Sequence, residues 1–205
     1  MATPELNALI VRNIADLDRT RKQIDQIERI LMTAIGKHAE NWAKKRRWQA
    51  NLDYPASGWD GWDAWLAPTG WHTKGGEPNS FDAWFSLEVA PGDTHSLAGN
   101  EDAFILTRLL GKGSGSIGLL FSHGVGKRAW KKLLQEISPL LHNTSIQILD
   151  EGNLYIPLKL DENEVADALL EENPEAALEP LDHALSILED AQPKLDKIVA
   201  KLRQL

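Results

Sequence analysis

Phe81-Asp82-Ala83-Trp84-Phe85-Ser86-Leu87-Glu88-Val89 places an apolar residue at every odd position and Asp, Trp, Ser and Glu at the even ones. A period of two is that of an extended strand, whose successive side chains point to opposite faces. One face of this strand is therefore predicted to meet a core and the other a different environment. Downstream, residues 103–110 and 117–121 are apolar runs of strand length, separated by a Gly and Ser turn at residues 111–115. From Lys127 to Leu141 the period changes, because Trp130, Leu133, Leu134, Ile137 and Leu141 fall on one side of a helix. Residues 146–149 and 154–160 then flank Asp150-Glu-Gly-Asn153, the pattern of a hairpin.

Upstream of the strands, Thr3 and Pro4 form a helix-start signal, and Ile10, Leu17, Ile24, Leu31 and His38 recur every seven residues. Ile14, Ile27 and Ile35 widen that stripe. An unbroken helix to about residue 45 would be on the order of 60 Å long at 1.5 Å per residue. A compact domain of this length is only about 40 to 45 Å across. The helix must project or break, and Gly36 is the expected break. At the other end Leu178, Leu181, Leu185, Leu188, Gln192, Leu195, Val199 and Leu202 follow alternating spacings of three and four. Asn173-Pro174 and Gln192-Pro193 read as helix starts, so this stretch is expected in two or three pieces bent at Pro180 and Pro193.

The order of elements predicts an α+β fold: a mixed or antiparallel sheet of about four to five strands with helices packed on it. The expected organisation is an assembly helix over residues 1–48, a Trp-rich loop and α+β core over residues 49–160, and acidic C-terminal helices over residues 161–205. The last are expected to pack on the N-terminal helix as a bundle or coiled-coil-like segment.

Composition narrows the function classes. The 205 residues include no cysteine, which excludes disulfides, thiolate nucleophiles and cysteine metal sites. No run is long and apolar enough for a membrane span, and no secretion signal is evident at the start, so a cytoplasmic protein without membrane contact is expected. The net charge of −8 is uneven: residues 1–149 hold 17 basic against 16 acidic side chains, and residues 150–205 hold 5 against 14. Duplex binding through the whole surface is thereby disfavoured, while local basic patches remain open to it.

Two such patches interleave with tryptophan. Trp42, Lys44, Lys45, Arg46, Arg47 and Trp48 form one, and Lys127, Arg128, Trp130, Lys131 and Lys132 the other. Cations beside aromatic faces suit a phosphate backbone with splayed bases, and the alternative is a solvated face that meets the acidic tail. Seven of the eight tryptophans lie between residues 42 and 84. Trp59, Trp62 and Trp65, three apart, are candidates for an aromatic platform or for rings that staple a long loop to the sheet.

The most site-like local feature is Phe121-Ser-His-Gly-Val-Gly-Lys-Arg128, where a strand ends and a helix begins. His123, Gly124, Gly126, Lys127 and Arg128 are candidate anion-binding residues, because free amides at a helix start and adjacent cations favour negative charge. The run lacks the first glycine and the hydroxyl residue of a nucleotide P-loop. Gly113-x-Gly-x-x-Gly118 opens no helix and is not a dinucleotide site. No two histidines stand at ligand spacing on one helix, and neither a metal nor a cofactor is expected.

Up to residue 149 the order of elements is similar to that of restriction-endonuclease-like folds. No Asp or Glu stands two residues before any lysine, so the acidic-x-Lys motif of that family has no match here. The leading expectation is a non-enzymatic interaction or assembly protein, a homo-oligomer or the binder of a protein partner, acting through its amphipathic helices and acidic tail. The alternative is a protein that binds nucleic acid or a phosphate ligand through the Trp-interleaved basic clusters, on a nuclease-like fold without the usual motif.

Overall fold

A computed structural model describes residues 3–55, 63–90, 104–113, 115–150 and 152–205. Thr3 caps the first helix, α1 (Pro4–Arg12), by accepting from the Leu6 amide through its hydroxyl at 3.3 Å. Asn13 interrupts the helical backbone, with its side-chain amide turned back onto the Leu9 carbonyl at 2.8 Å. The helix resumes as α2 (Ile14–Lys45), about 48 Å long at 1.5 Å per residue. The break expected at Gly36 is absent. Gly36 is instead where α2 is crossed closely, since a Cβ there would lie 2.2 Å from the Leu52 carbonyl oxygen.

The sheet is assembled from β1 (Trp48–Asn51), β2 (Trp65–Pro68), β3 (Ala83–Val89), β4 (Ile117–His123), β5 (Gln147–Ile148) and β6 (Leu154–Leu158). Its strand order is β1-β2-β3-β4-β6-β5, and every pairing is antiparallel. The α+β class and the antiparallel sheet therefore hold, with six strands rather than four to five. The additional pair comes from the Trp-rich stretch, expected to be loop, in which β1 and β2 are four-residue strands too short to show a period.

Two further elements differ from expectation. The strand expected over residues 103–110 is a short helix, α3 (Ile105–Leu109), which buries Ile105 and Leu109 one turn apart. Glu28 of α2 supplies its cap, accepting from the Leu106 amide at 2.9 Å. The order of elements expected from the sequence, with three strands before the helix at Lys127, is therefore not the one observed. At the C-terminus, α5 (Glu162–Leu170) and a 3₁₀ turn over Pro174–Ala177 lead into α6 (Glu179–Leu202), which is continuous. Pro180 sits in its first turn, where no amide is needed, and Pro193 lies inside it without dividing it.

The core lies on the sheet face that carries Phe85, Leu87, Leu119, Phe121, Leu154 and Ile156. It is covered by the C-terminal part of α2, by α4 (Lys127–Leu141) and by α6. Leu181, Leu185, Leu188, Leu195, Val199 and Leu202 are all buried there, so the C-terminal stripe finds its partner within the chain. A smaller cluster of Ala90, Leu120 and Tyr155 packs on the opposite face. Tyr155 lies across Gly118, where a Cβ would meet its ring at 2.6 Å. No helix among the described residues is long and apolar enough to cross a membrane.

Candidate functional site

Register gathers several candidate residues at one end of the sheet. Trp48 pairs with Pro68 and Ala83 with His123, so Arg46 and Arg47, the Thr69–Trp71 turn and the run from His123 to Arg128 all adjoin that end. Arg47 and His123 are separated by three strand spacings, about 14 Å.

The first basic patch has split into a buried and an exposed half. Trp42 and Trp48 are buried against each other with ring centroids 5.1 Å apart, and Trp48 leans on Trp71 at 6.1 Å. Lys44, Lys45, Arg46 and Arg47 are exposed. The Arg46 guanidinium lies 4.9 Å over the Trp42 ring and donates through Nε to Glu189 of α6 at 2.7 Å. In the second patch Trp130 is buried, its indole N–H donating to the Gly152 carbonyl at 3.1 Å, while Lys131 and Lys132 face out. The rings needed for stacking nucleic-acid bases in these two patches thus belong to the core, and only the cations are on the surface.

Trp71 and Arg203, with Arg46, Arg47, Gln192 and Asp196, line a cleft of about 340 Å³ between α6, the α2–β1 turn and the turn after β2. Trp71, 2% exposed, donates its indole N–H to Asp196 at 2.7 Å, and Trp48 donates its own to the Gln192 side-chain oxygen at 3.1 Å. Gln192, the one polar residue in the C-terminal apolar stripe, is therefore the acceptor for a buried indole. Arg203 donates through Nε to Asp82 at 2.6 Å and through Nη2 to the Gly70 and His72 carbonyls at 3.0 and 3.1 Å. Arg47 stands beside it in the left-handed backbone region, at φ 59°. Arg203 carried no signal in the sequence, because its role depends on α6 ending against the turn after β2.

The run expected to hold an anion is a strand-to-helix turn. β4 ends at His123, Gly126 occupies the N-cap of α4 without a side-chain cap, and Lys127 and Arg128 are exposed in the first turn. His123 packs on Trp130 at 4.2 Å between centroids, and its buried Nδ1 has no hydrogen-bond partner among the described residues. Desolvation lowers the His123 pKa below the usual histidine value, outweighing the pull of the nearby Val125 and His123 backbone, which favours the charged form without making a hydrogen bond to Nδ1. Of the aromatic platform, Trp59 and Trp62 lie outside the described residues. Trp65 is half-buried, stacks on Phe81 at 5.1 Å and lines a smaller cleft with Trp84. No group of three or more His, Asp or Glu among the described residues is arranged to hold a metal ion.

The third feature is the N-terminal arm. Residues 3–23 are exposed throughout, and the first buried side chain of α2 is Leu31. Leu6, Leu9, Ile10, Val11, Ile14 and Leu17 show water between 39% and 71% of their surface. Together they make an exposed apolar strip along α1 and the start of α2. Compared with protein-family models, with curated proteins and with solved structures, the chain matches none.

Proposed function

We infer that this is a non-enzymatic assembly protein whose projecting N-terminal helix pairs with the same helix of a second copy. The carrying observation is the exposed strip from Leu6 to Leu17 on an arm that contributes nothing to its own core. A lone helix of some 20 residues is marginal in water, and most helical stability comes from packing an apolar face. The C-terminal stripe that could have covered it is already buried on the sheet. Two such strips pressed together would remove apolar surface on both copies from water, and a specific interface needs roughly 1,000 Å² in total. Identical near-neutral arms suit one another: between residues 3 and 21, Glu5, Asp16 and Asp18 balance Arg12, Arg19 and Arg21. The exposed carboxylates of α5, among them Glu164 and Asp167, face water and oppose indiscriminate association.

Light scattering across 1–200 µM should report a mass above one chain, returning to one chain in Leu9→Glu/Ile14→Glu with an unchanged circular dichroism spectrum of the folded domain. A wild type that stays monomeric throughout would overturn the reading. The nucleic-acid reading is supported by the shared sheet end of the two basic patches; among the described residues, the tryptophans within those patches are buried rather than exposed for stacking.

A further inference from the structure

We propose that the cleft between α6 and the turn after β2 binds a phosphorylated sugar, free or within a mononucleotide, with Arg47 as its principal phosphate ligand. The proposal is independent of the assembly reading, since the arm and the cleft share no residue.

Three arginines from two distant parts of the chain line one concavity: Arg46, Arg47 and Arg203. Two of them are anchored. Arg46 is held by Glu189 through Nε and by the Trp42 ring, leaving its Nη groups to point elsewhere. Arg203 is clamped by Asp82 and two carbonyls. Arg47 has no acceptor among the described residues, although guanidinium is the side chain best shaped to grip a phosphate with two parallel hydrogen bonds.

Arg47 also sits where its backbone is strained. At φ 59° a residue with a Cβ is disfavoured by sterics that glycine avoids. The turn itself would be served better by glycine, so an arginine here runs against the local backbone preference.

The other lining groups complement a sugar phosphate. Gln192 spends its oxygen on Trp48, which leaves its amide N–H groups as donors. Thr69 adds a hydroxyl. Asp196 accepts from Trp71 and keeps a carboxylate oxygen for a ligand hydroxyl. A carboxylate would repel a bare phosphate but suits a molecule that carries hydroxyls a few ångströms from its phosphate. The volume of about 340 Å³ lies at the small end of ligand sites, the size of a pentose phosphate or a mononucleotide. Indole hydrogen bonds fix Gln192 and Asp196 before any ligand arrives, and preformed sites lose less on binding.

Calorimetric titration of the full chain with ribose 5-phosphate, AMP, adenosine, inorganic phosphate and a ten-nucleotide single strand tests this. Ribose 5-phosphate or AMP should bind saturably at one site per chain, at least tenfold more tightly than inorganic phosphate, with no binding of adenosine. Arg47→Gly should lose at least tenfold in that affinity while melting at or above the wild-type temperature, because it removes the strained residue. Gln192→Glu keeps the acceptor for Trp48 and replaces the free donor by an anion, so it should weaken the same ligands without unfolding the protein. Three results would each overturn the proposal: no saturable binding of either sugar phosphate up to 10 mM, wild-type affinity in Arg47→Gly, or binding of the oligonucleotide more than tenfold tighter than AMP. The last would instead make the cleft part of a nucleic-acid surface.

Discussion

His123 concentrates several constraints in one side chain. It ends β4 and stacks on Trp130, and its ring nitrogen Nδ1 lies out of contact with water and without a described partner. Burial disfavours the imidazolium, so the folded-state value lies below 6.5, the ordinary one for histidine. The unfolded chain then binds a proton at a higher pH than the folded chain does, and stability rises with pH wherever that holds. The His123 contribution is complete above pH 6.5 and is lost as pH falls from there through the folded-state value. Urea denaturation at pH 7.5, 6.5 and 5.5 should show a loss of stability on acidification that is smaller in His123→Phe, which keeps the stacked ring and cannot be protonated. Parallel pH profiles for the two proteins would show that His123 is not linked to folding. Phe also removes the unsatisfied nitrogen, so the variant should be at least as stable as the wild type at pH 7.5.

At the scale of elements, the crossing of α2 by the chain after β1 is fixed by a single missing methyl group. Alanine has the higher helix propensity by about 1 kcal/mol, which on its own would make Gly36→Ala stabilising. The added Cβ would meet the Leu52 carbonyl oxygen at 2.2 Å, and backbone cannot swing aside as a side chain can. Gly36→Ala should therefore destabilise by about 2 kcal/mol or more, in the range of overpacked cores. Gly124→Ala, with nothing within 4 Å of the new atom, should be close to neutral. Equal denaturation midpoints for the two variants would remove the crossing as the reason for glycine.

The same position shows why parts of the fold could be read from the sequence and others could not. Elements with several turns or pairs of their own period, such as β3, α4 and α6, were legible because burial on one side imposes that period. Gly36 was read by its propensity, a local quantity, while the reason for it is a carbonyl 16 positions away in the chain. Residues 105–109 failed for a related reason: a short apolar run has no decisive period, and the Glu28 cap that makes α3 a helix comes from another element. Pro193 reads as a helix break, yet it lies within a helix whose Leu188, Leu195 and Val199 are buried, and tertiary packing overrides the local cost. Among site residues, the cations were visible as charge runs. The convergence of Arg47 with Arg203 was not, since it depends on register and on where α6 ends.

The whole molecule consists of a packed body with an arm attached to it, and the two ends of the chain carry opposite structural weight. Side chains 3–23 bury nothing, whereas α6 contributes nine buried residues to the core. The acidic C-terminal segment is for that reason no detachable tail. Its contacts bind it to the earlier chain: Glu189 with Arg46, Asp182 with His38 and Glu162 with Lys112. Exposed pairs of this kind are worth at most about 1 kcal/mol each, so the apolar face of α6 rather than its charge holds it in place. Truncation separates the two ends. A chain lacking residues 1–21 should unfold cooperatively with a melting temperature within about 2 °C of the full chain, a difference of at most about 1 kcal/mol for a protein of this size. The comparison has to be made at concentrations where the full chain is a single copy, because association raises apparent stability by mass action alone. A chain ending before Glu179 should show no cooperative transition at all. If loss of the arm lowers the melting temperature by 8 °C or more under those conditions, the arm is packed on its own body, and its apolar strip is not available to a second copy.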